Sequence, residues 1–255
     1  MQTSSRRTSA LAVFVSLFAV LIFVPGCADD PVEPAPKKPP QIPTSGLVAF
    51  YPFSTDAQDA SGNDNHASLL GAAAVDKYLT LGSNAVDRVA LPYSMLQGAG
   101  DFTISVWARI VTVHAGGEHT LISGARSGMD NVFYLIYDVS ANNWAFCVNP
   151  AVPKFSPSVQ LSHYLTWHHF VVLRNGSTGR FYLDGQQIGD GQSVSTTAIS
   201  LGSGGFILGQ DQDSVGGGFE ASQSWAGDID NLRIYNRALN QTEITALASE
   251  TGIGG

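Results

Sequence analysis

The chain runs to 255 residues, with 13 Lys and Arg against 21 Asp and Glu and a formal net charge of −8. Such an acidic chain, without a Lys/Arg cluster to neutralise phosphates, speaks against nucleic acid and anionic membrane surfaces as partners. Two cysteines are too few for a disulfide framework.

The opening residues are expected to form an export signal. Arg6 and Arg7 form a positive n-region, and Ala10 to Val24 form an uncharged apolar run. That run has the length of a signal-peptide core and falls short of the roughly 20 residues that span a bilayer. It closes on Val24-Pro25-Gly26-Cys27, and Leu21 to Cys27 resembles the lipobox of bacterial lipoproteins. The resemblance implies cleavage before Cys27, which becomes the acylated N-terminus, leaving residues 1–26 as a signal peptide. Several acyl chains on one residue meet the need for more than one membrane signal. The expected address is the bacterial cell envelope, with membrane contact through the lipid anchor alone. Ala28 rather than Asp follows the cysteine, which leans towards the outer membrane. Losing Arg6 and Arg7 takes the formal charge from −8 to −10. Residues 27–45 then read as the acylated cysteine and a semi-extended tether, with Pro31, Pro34, Pro36, Pro39, Pro40 and Pro43 set among charges.

Residues 46–250 form one domain, and 251–255 a tail. The pattern is strand, turn, strand. Leu47–Phe53 opens it, and Phe102–Ala108 alternates apolar and polar residues through Ser105. Val132–Val139 is an almost continuous apolar run, as a strand buried on both faces would be. Phe170–Leu173 leads through Asn175-Gly176 into Arg180–Leu183, and Asp184-Gly185 turns the chain again. Phe206–Leu208 and Ile229–Tyr235 add further strands. With 27 glycines and almost no helical periodicity, the fold class is all-β, a two-sheet antiparallel sandwich or jelly roll. One short C-terminal helix is predicted, capped by Asn240, with Glu243 three residues on and Ile244, Leu247 and Ala248 on one face. Cys147, in Trp144-Ala145-Phe146-Cys147-Val148, is expected to be a buried, inert strand thiol.

Three stretches carry a wider resemblance: Leu47–Phe53 followed by Asp59-Ala60-Ser61-Gly62-Asn63; Trp167–Phe170 with Phe181–Gly185; and Gly227–Leu239. Together they resemble the laminin-G-like, concanavalin-A-type jelly rolls. Within them, residues 206–230, FILGQDQDSVGGGFEASQSWAGDID, are similar to the calcium loop of pentraxins such as the C-reactive protein family.

Residue chemistry points the same way. Calcium takes roughly six to eight oxygen ligands from carboxylates, amides and carbonyls. Asp211 and Asp213 lie two apart, so in an extended segment both point to one side. Gly216, Gly217 and Gly218 allow a reversal that returns Glu220 and Gln223 towards them. Close carboxylates repel, and a dication relieves that. The resemblance adds Asp130 and Asn131, and implies one calcium held by Asp130, Asn131, Asp211, Asp213 and the Gln212 carbonyl. It implies a second, more exposed one held by Asp211, Asp213, Glu220 and Gln223. An EF-hand does not fit, since Val215 and Ser222 fall on its fifth and twelfth positions.

The chain departs from pentraxins elsewhere. Ser105 or a neighbour stands where the first cysteine of their disulfide would be, and their His-x-Cys-x-Ser/Thr-Trp signature survives as His163–Trp167. The residues that grip phosphocholine fall near Ile136 and Val152, so neither that specificity nor a pentameric ring carries over.

Other residues have plain expectations. Trp107, Trp144, Trp167 and Trp225 are read as core packing. His168 and His169, adjacent on a strand, point to opposite faces and cannot share a metal. His114, Glu118 and His119 are placed in a loop. Asp228 and Asp230 are assigned to the sheet's edge and the calcium neighbourhood; without a glutamate in the motif they do not form a glycosidase pair. The expected function is a non-enzymatic, calcium-dependent, lectin-like module whose partner is a carbohydrate or anionic group. The alternatives are a structural or adhesive protein-interaction domain with calcium only stabilising loops, and, more weakly, a glycoside hydrolase.

Overall fold

Alternation along the strands decides which residues meet in the middle. The computed structural model describes residues 41–71, 73–149, 154–155, 164–251 and 253. The expected signal peptide, Cys27, most of the expected tether, Val152 and His163 lie outside the described residues. Among the described residues there are sixteen strands: β1 Leu47–Tyr51, β2 Ser68–Leu70, β3 Ala74–Val75, β4 Leu79–Thr80, β5 Arg88–Ala90, β6 Phe102–Ile110, β7 Glu118–Arg126 and β8 Met129–Asp138. There follow β9 Asn143–Val148, β10 Lys154–Phe155, β11 His168–Asn175, β12 Thr178–Leu183, β13 Gln186–Gln187, β14 Gln192–Ser193, β15 Phe206–Leu208 and β16 Gly227–Tyr235, then α1 Gln241–Ala248.

The strands make two antiparallel sheets. The first runs β13-β12-β11-β6-β16-β4-β3, with β1 also on β16 and β14 on β12; the second runs β10-β9-β8-β7-β15-β5-β2. Residues Ile104, Val106, Ala108 and Ile110 of β6 point inward against Phe133, Leu135 and Tyr137 of β8. Trp144 lies at the centre, its ring 4.9 Å from Phe170, 5.5 Å from Phe181 and 6.3 Å from Trp225. Truncating such a buried aromatic costs about 3–5 kcal/mol.

Local chemistry sets the turns and the helix. At the β12–β13 hairpin Asp184 and Gly185 have φ of 50° and 78°, the left-handed pair that a two-residue primed turn requires. The expected capping box is present: Glu243 N donates to Asn240 Oδ1 at 3.1 Å, and Asn240 N donates to Glu243 Oε2 at 2.9 Å. Arg237 clamps the same glutamate at 2.6 and 2.9 Å. The helix lays Ile244 and Leu247 on Val171, Leu173, Tyr182 and Tyr235, so part of the first sheet's outer face is also dry.

Three expectations need correcting. Glu118 and His119 belong to β7, not to a loop. Asp228 and Asp230 lie in β16, in the middle of the first sheet, and both are buried; Asp228 bonds to Arg109, so that strand is not an edge. Trp144 and Trp225 fill the core, but Trp107 and Trp167 are half-buried. Both flank β-residues of the opposite phase and so face out of the first sheet. His168 and His169 do diverge: His168 Nδ1 pairs with Asp184 Oδ2 at 2.7 Å, while His169 Nε2 pairs with Ser105 Oγ at 2.8 Å. Cys147 is buried and free; burial first, then the charges of Asp211 and Asp130, push its thiol up to about 12.

Candidate metal centre

The segment after β15 leaves the second sheet as a loop with closed ends. Gly209 N donates to Leu121 O and Trp225 N donates to Gly209 O, at 2.9 and 3.0 Å. Gly209 has φ +89°, and a Cβ there would fall 2.1 Å from Leu81 Cδ1, so any other residue here would be strained in its backbone and would have to displace the Leu81 methyl.

Buried amides then fix its path. Ser123 Oγ of β7 donates to Gln210 O at 2.7 Å and accepts from Gln212 Nε2 at 3.1 Å. Gln212 Oε1 in turn accepts from Gly216 N at 2.9 Å, and Gln210 Nε2 donates to Asn84 O at 2.7 Å. With the Gln212 side chain spent on the scaffold, only its main-chain carbonyl remains for a ligand role. Beyond the Ser214–Gly217 bridge, Ala221–Gln223 makes a short 3-10 turn. Its far end is fastened by two stacked histidines 4.3 Å apart: His114 Nε2 on Ser224 O at 2.9 Å, and His119 Nδ1 on Trp225 O at 3.0 Å. Ser123, Gln210, His114 and His119 were invisible as loop anchors in the sequence, where a serine inside Thr120–Ala125 is simply a strand residue.

Anchored this way, the loop carries its acids to the start of β8. Asp211 is buried, and its carboxyl is raised to about 6, by burial first and then by the neighbouring charges of Asp213 and Asp130, against the Gln212 N–H that lowers it. Asp130 and Asp213 both line an open cavity of about 770 Å³, together with Arg126, Met129, Ser214 and Val215. Asn131 lies next to Asp130, with its Nδ2 3.4 Å from Asp130 Oδ1 and its carbonyl accepting from Cys147 Sγ at 3.2 Å. The structure therefore gathers Asp130, Asn131, Asp211, Gln212 and Asp213 into one neighbourhood. Gln223 is half-buried, whereas Glu220 stays exposed at the rim, its Oε2 accepting from Ser222 Oγ at 3.4 Å.

The gathering is not a closed shell: among the described residues, no three His, Cys, Asp or Glu side chains meet closely enough to hold a metal ion. Like charges hold carboxylates apart, and much of a calcium shell is amide and carbonyl oxygen. Two oxygens nevertheless stand ready. Asp211 Oδ1 and Gln223 Oε1 are buried with no hydrogen-bond partner among the described residues. An unpartnered buried acceptor costs about 1–3 kcal/mol, and a set made only of oxygen donors suits a hard dication such as Ca²⁺, not zinc. The residues present fit calcium.

Two antiparallel sheets packed face to face in this order make a jelly-roll sandwich. Residues 82–245 match the concanavalin A-like lectin/glucanases superfamily in its laminin G form, and the chain belongs to that family. Neuronal pentraxin-1 of Rattus norvegicus is 31% identical over 150 residues, 58% of this chain and 33% of that protein. The rat sushi, von Willebrand factor type A, EGF and pentraxin domain-containing protein 1 is 32% identical over 133 residues, 51% of this chain and 4% of that one. The chain spans about a third of the length of the neuronal pentraxins it matches. Among solved structures, the heptameric SAP-like pentraxin of Limulus polyphemus aligns with a TM-score of 0.53 at 25% identity, covering 62% of this chain and 74% of that one. Trypanosoma rangeli sialidase aligns with a TM-score of 0.63 at 21% identity over 81% of this chain and 33% of its own; that likeness is one of fold alone.

Proposed function

We propose that the domain is a non-catalytic, calcium-dependent binding module, lectin-like, that recognises a glycan or an anionic group on a lipid-anchored protein of the bacterial cell envelope. The observation that carries this reading is the buried, unpartnered Oδ1 of Asp211, set beside Asp213 and Asp130. Asp130, Asn131, Asp211, Asp213 and the Gln212 carbonyl would hold one ion; Asp211, Asp213, Glu220 and Gln223 would hold a second. Bound calcium supplies positive charge and open coordination positions that accept phosphate, carboxylate or vicinal hydroxyl oxygens. The chain's own part is positional. Ser123, Gln210 and Gln212 hold the loop against β7, and Arg126, Met129 and Val215 give the adjoining cavity a mixed wall. A hydrolase reading finds little support, because Asp228, the first acid of β16, is spent on Arg109 and Thr80 at 2.8 Å each.

The density of internal bonds in the loop favours one second reading, a protein-interaction scaffold whose calcium only stiffens the loop. An array of neutral and anionic glycans, probed with the full chain in calcium and in chelator, separates the two. Retention that needs calcium supports the binding module. A calcium-raised melting temperature without retention supports the scaffold, and no effect of calcium on either ends both.

A further inference from the structure

The outer face of the first sheet carries a second arrangement, built on different strands from the loop. Ile104, Val106, Ala108 and Ile110 of β6 point into the core, so Trp107 and Arg109 point out. Ile229 of β16 points in, so Asp228 points out. Register then lines up a row. Asp228 pairs with Arg109 on one side and with Thr80 on the other. His168 pairs with Ala108, which sets the preceding Trp167 opposite Arg109. Trp167, Arg109, Asp228 and Thr80 thus cross four neighbouring strands in line, a span of about 14 Å at the usual strand spacing.

Contacts within the row are specific. Asp228 Oδ2 accepts from Arg109 Nε at 2.8 Å and Oδ1 accepts from Thr80 Oγ1 at 2.8 Å. The Arg109 guanidinium lies 5.1 Å from the Trp167 ring centre and 5.5 Å from that of Tyr78. Those two rings meet edge to face at 5.5 Å, and both are half-buried. Arg233, elsewhere on the same face, shows what a structural arginine looks like here. Both its terminal nitrogens bind Glu250 at 2.7 Å, and its side chain is 6% exposed. Arg109 is 31% exposed, and its terminal nitrogens make no hydrogen bond among the described residues. It is a held donor with N–H groups to spare.

The row is also electrically balanced. Asp228 cancels Arg109, and the exposed Asp76 and Lys77 beside Tyr78 cancel each other. Two half-buried aromatic rings, a guanidinium held over both with N–H groups to spare and no net charge suit a ligand with C–H faces and hydroxyl oxygens. We infer that this face is a calcium-independent binding site for a short neutral oligosaccharide, whose ring packs on Trp167 and Tyr78 while its hydroxyls accept from Arg109.

The test titrates the full chain, in chelator, with neutral hexasaccharides of β-1,4-glucan, β-1,3-glucan, chitin and mannan, followed by calorimetry and tryptophan fluorescence. At least one should bind saturably. W167A and Y78A should each weaken that binding tenfold or more while keeping the wild-type circular dichroism, and D211A/D213A should leave it unchanged. Should W167A fail to fold, Y78A and R109Q carry the same comparison. The inference is overturned if none of the four binds in chelator, if the aromatic variants bind as wild type does, or if binding appears only with calcium.

Discussion

Ser123 Oγ on β7 donates to the main-chain carbonyl of Gln210 at 2.7 Å, and through that bond a buried strand hydroxyl holds the acid-bearing loop to the sheet. The same oxygen accepts from Gln212. S123A should therefore lower stability by about 1–3 kcal/mol, since it leaves buried partners unpaired. It should also weaken calcium binding, although Ser123 is not placed among the ligands. Urea unfolding and a calcium titration of the same variant check both effects; wild-type affinity in a destabilised variant would mean that the loop holds its shape without this anchor.

Gly218 sets the return of the loop. Its φ is +73°, and a Cβ there would lie 2.6 Å from Asp213 Cβ. Gly98 has a similar φ of +76° but open space around it. G98A should cost only the strain of a left-handed alanine, about 1 kcal/mol. G218A should cost more, and it should displace Asp213. Melting temperatures of the two variants make the comparison, and equal losses would show that the crowding at Asp213 is relieved at no cost.

The pH dependence follows from a buried histidine. Burial, then repulsion from His114, holds His119 down to about 4, against the carbonyls of Trp225 and Ser224. In the unfolded chain the ring titrates near 6.5. Between those values the unfolded state binds more protons, so this contribution to stability is complete above about pH 6.5 and is lost as pH falls towards 4. His169, held at about 3 by burial, acts in the same sense. Asp211, raised to about 6, acts in the opposite sense below that pH. Comparing urea midpoints of wild type and H119N at pH 7.5, 6 and 5 isolates the histidine. The variant should lose less stability on acidification, and parallel curves would contradict the assignment.

Much of this architecture was legible because local signals were strong. The alternation of Phe102–Ala108 through Ser105, the Asp184-Gly185 turn and the Asn240–Glu243 cap each name one local structure. The neighbourhood of Asp130, Asn131, Asp211 and Asp213 was legible from the resemblance to pentraxin loops, since 80 residues separate Asn131 from Asp211 and no local rule joins them. What stayed hidden depended on phase and register. The phase set by Phe102 and Ile104 points Trp107 outward, but its apolar ring in the run Val106-Trp107-Ala108 argued for the core; no local signal sets the phase of Trp167 or brings Asp228 beside Arg109 in mid-sheet. The anchoring amides of Gln210 and Gln212 were hidden for a related reason: glutamine in a polar loop reads as solvent-facing until a strand hydroxyl is found beneath it.

Calcium binding at Asp211 is most directly tested by the melting temperature of the full chain in calcium and in chelator, beside D211A/D213A. A ligand at about a hundred times its dissociation constant adds roughly 2.7 kcal/mol, several degrees for a domain of this size. Calcium held by Asp211 and Asp213 would give a shift of that order in the wild type and its loss in the double variant. No shift at millimolar calcium, or the same shift in both proteins, would contradict it.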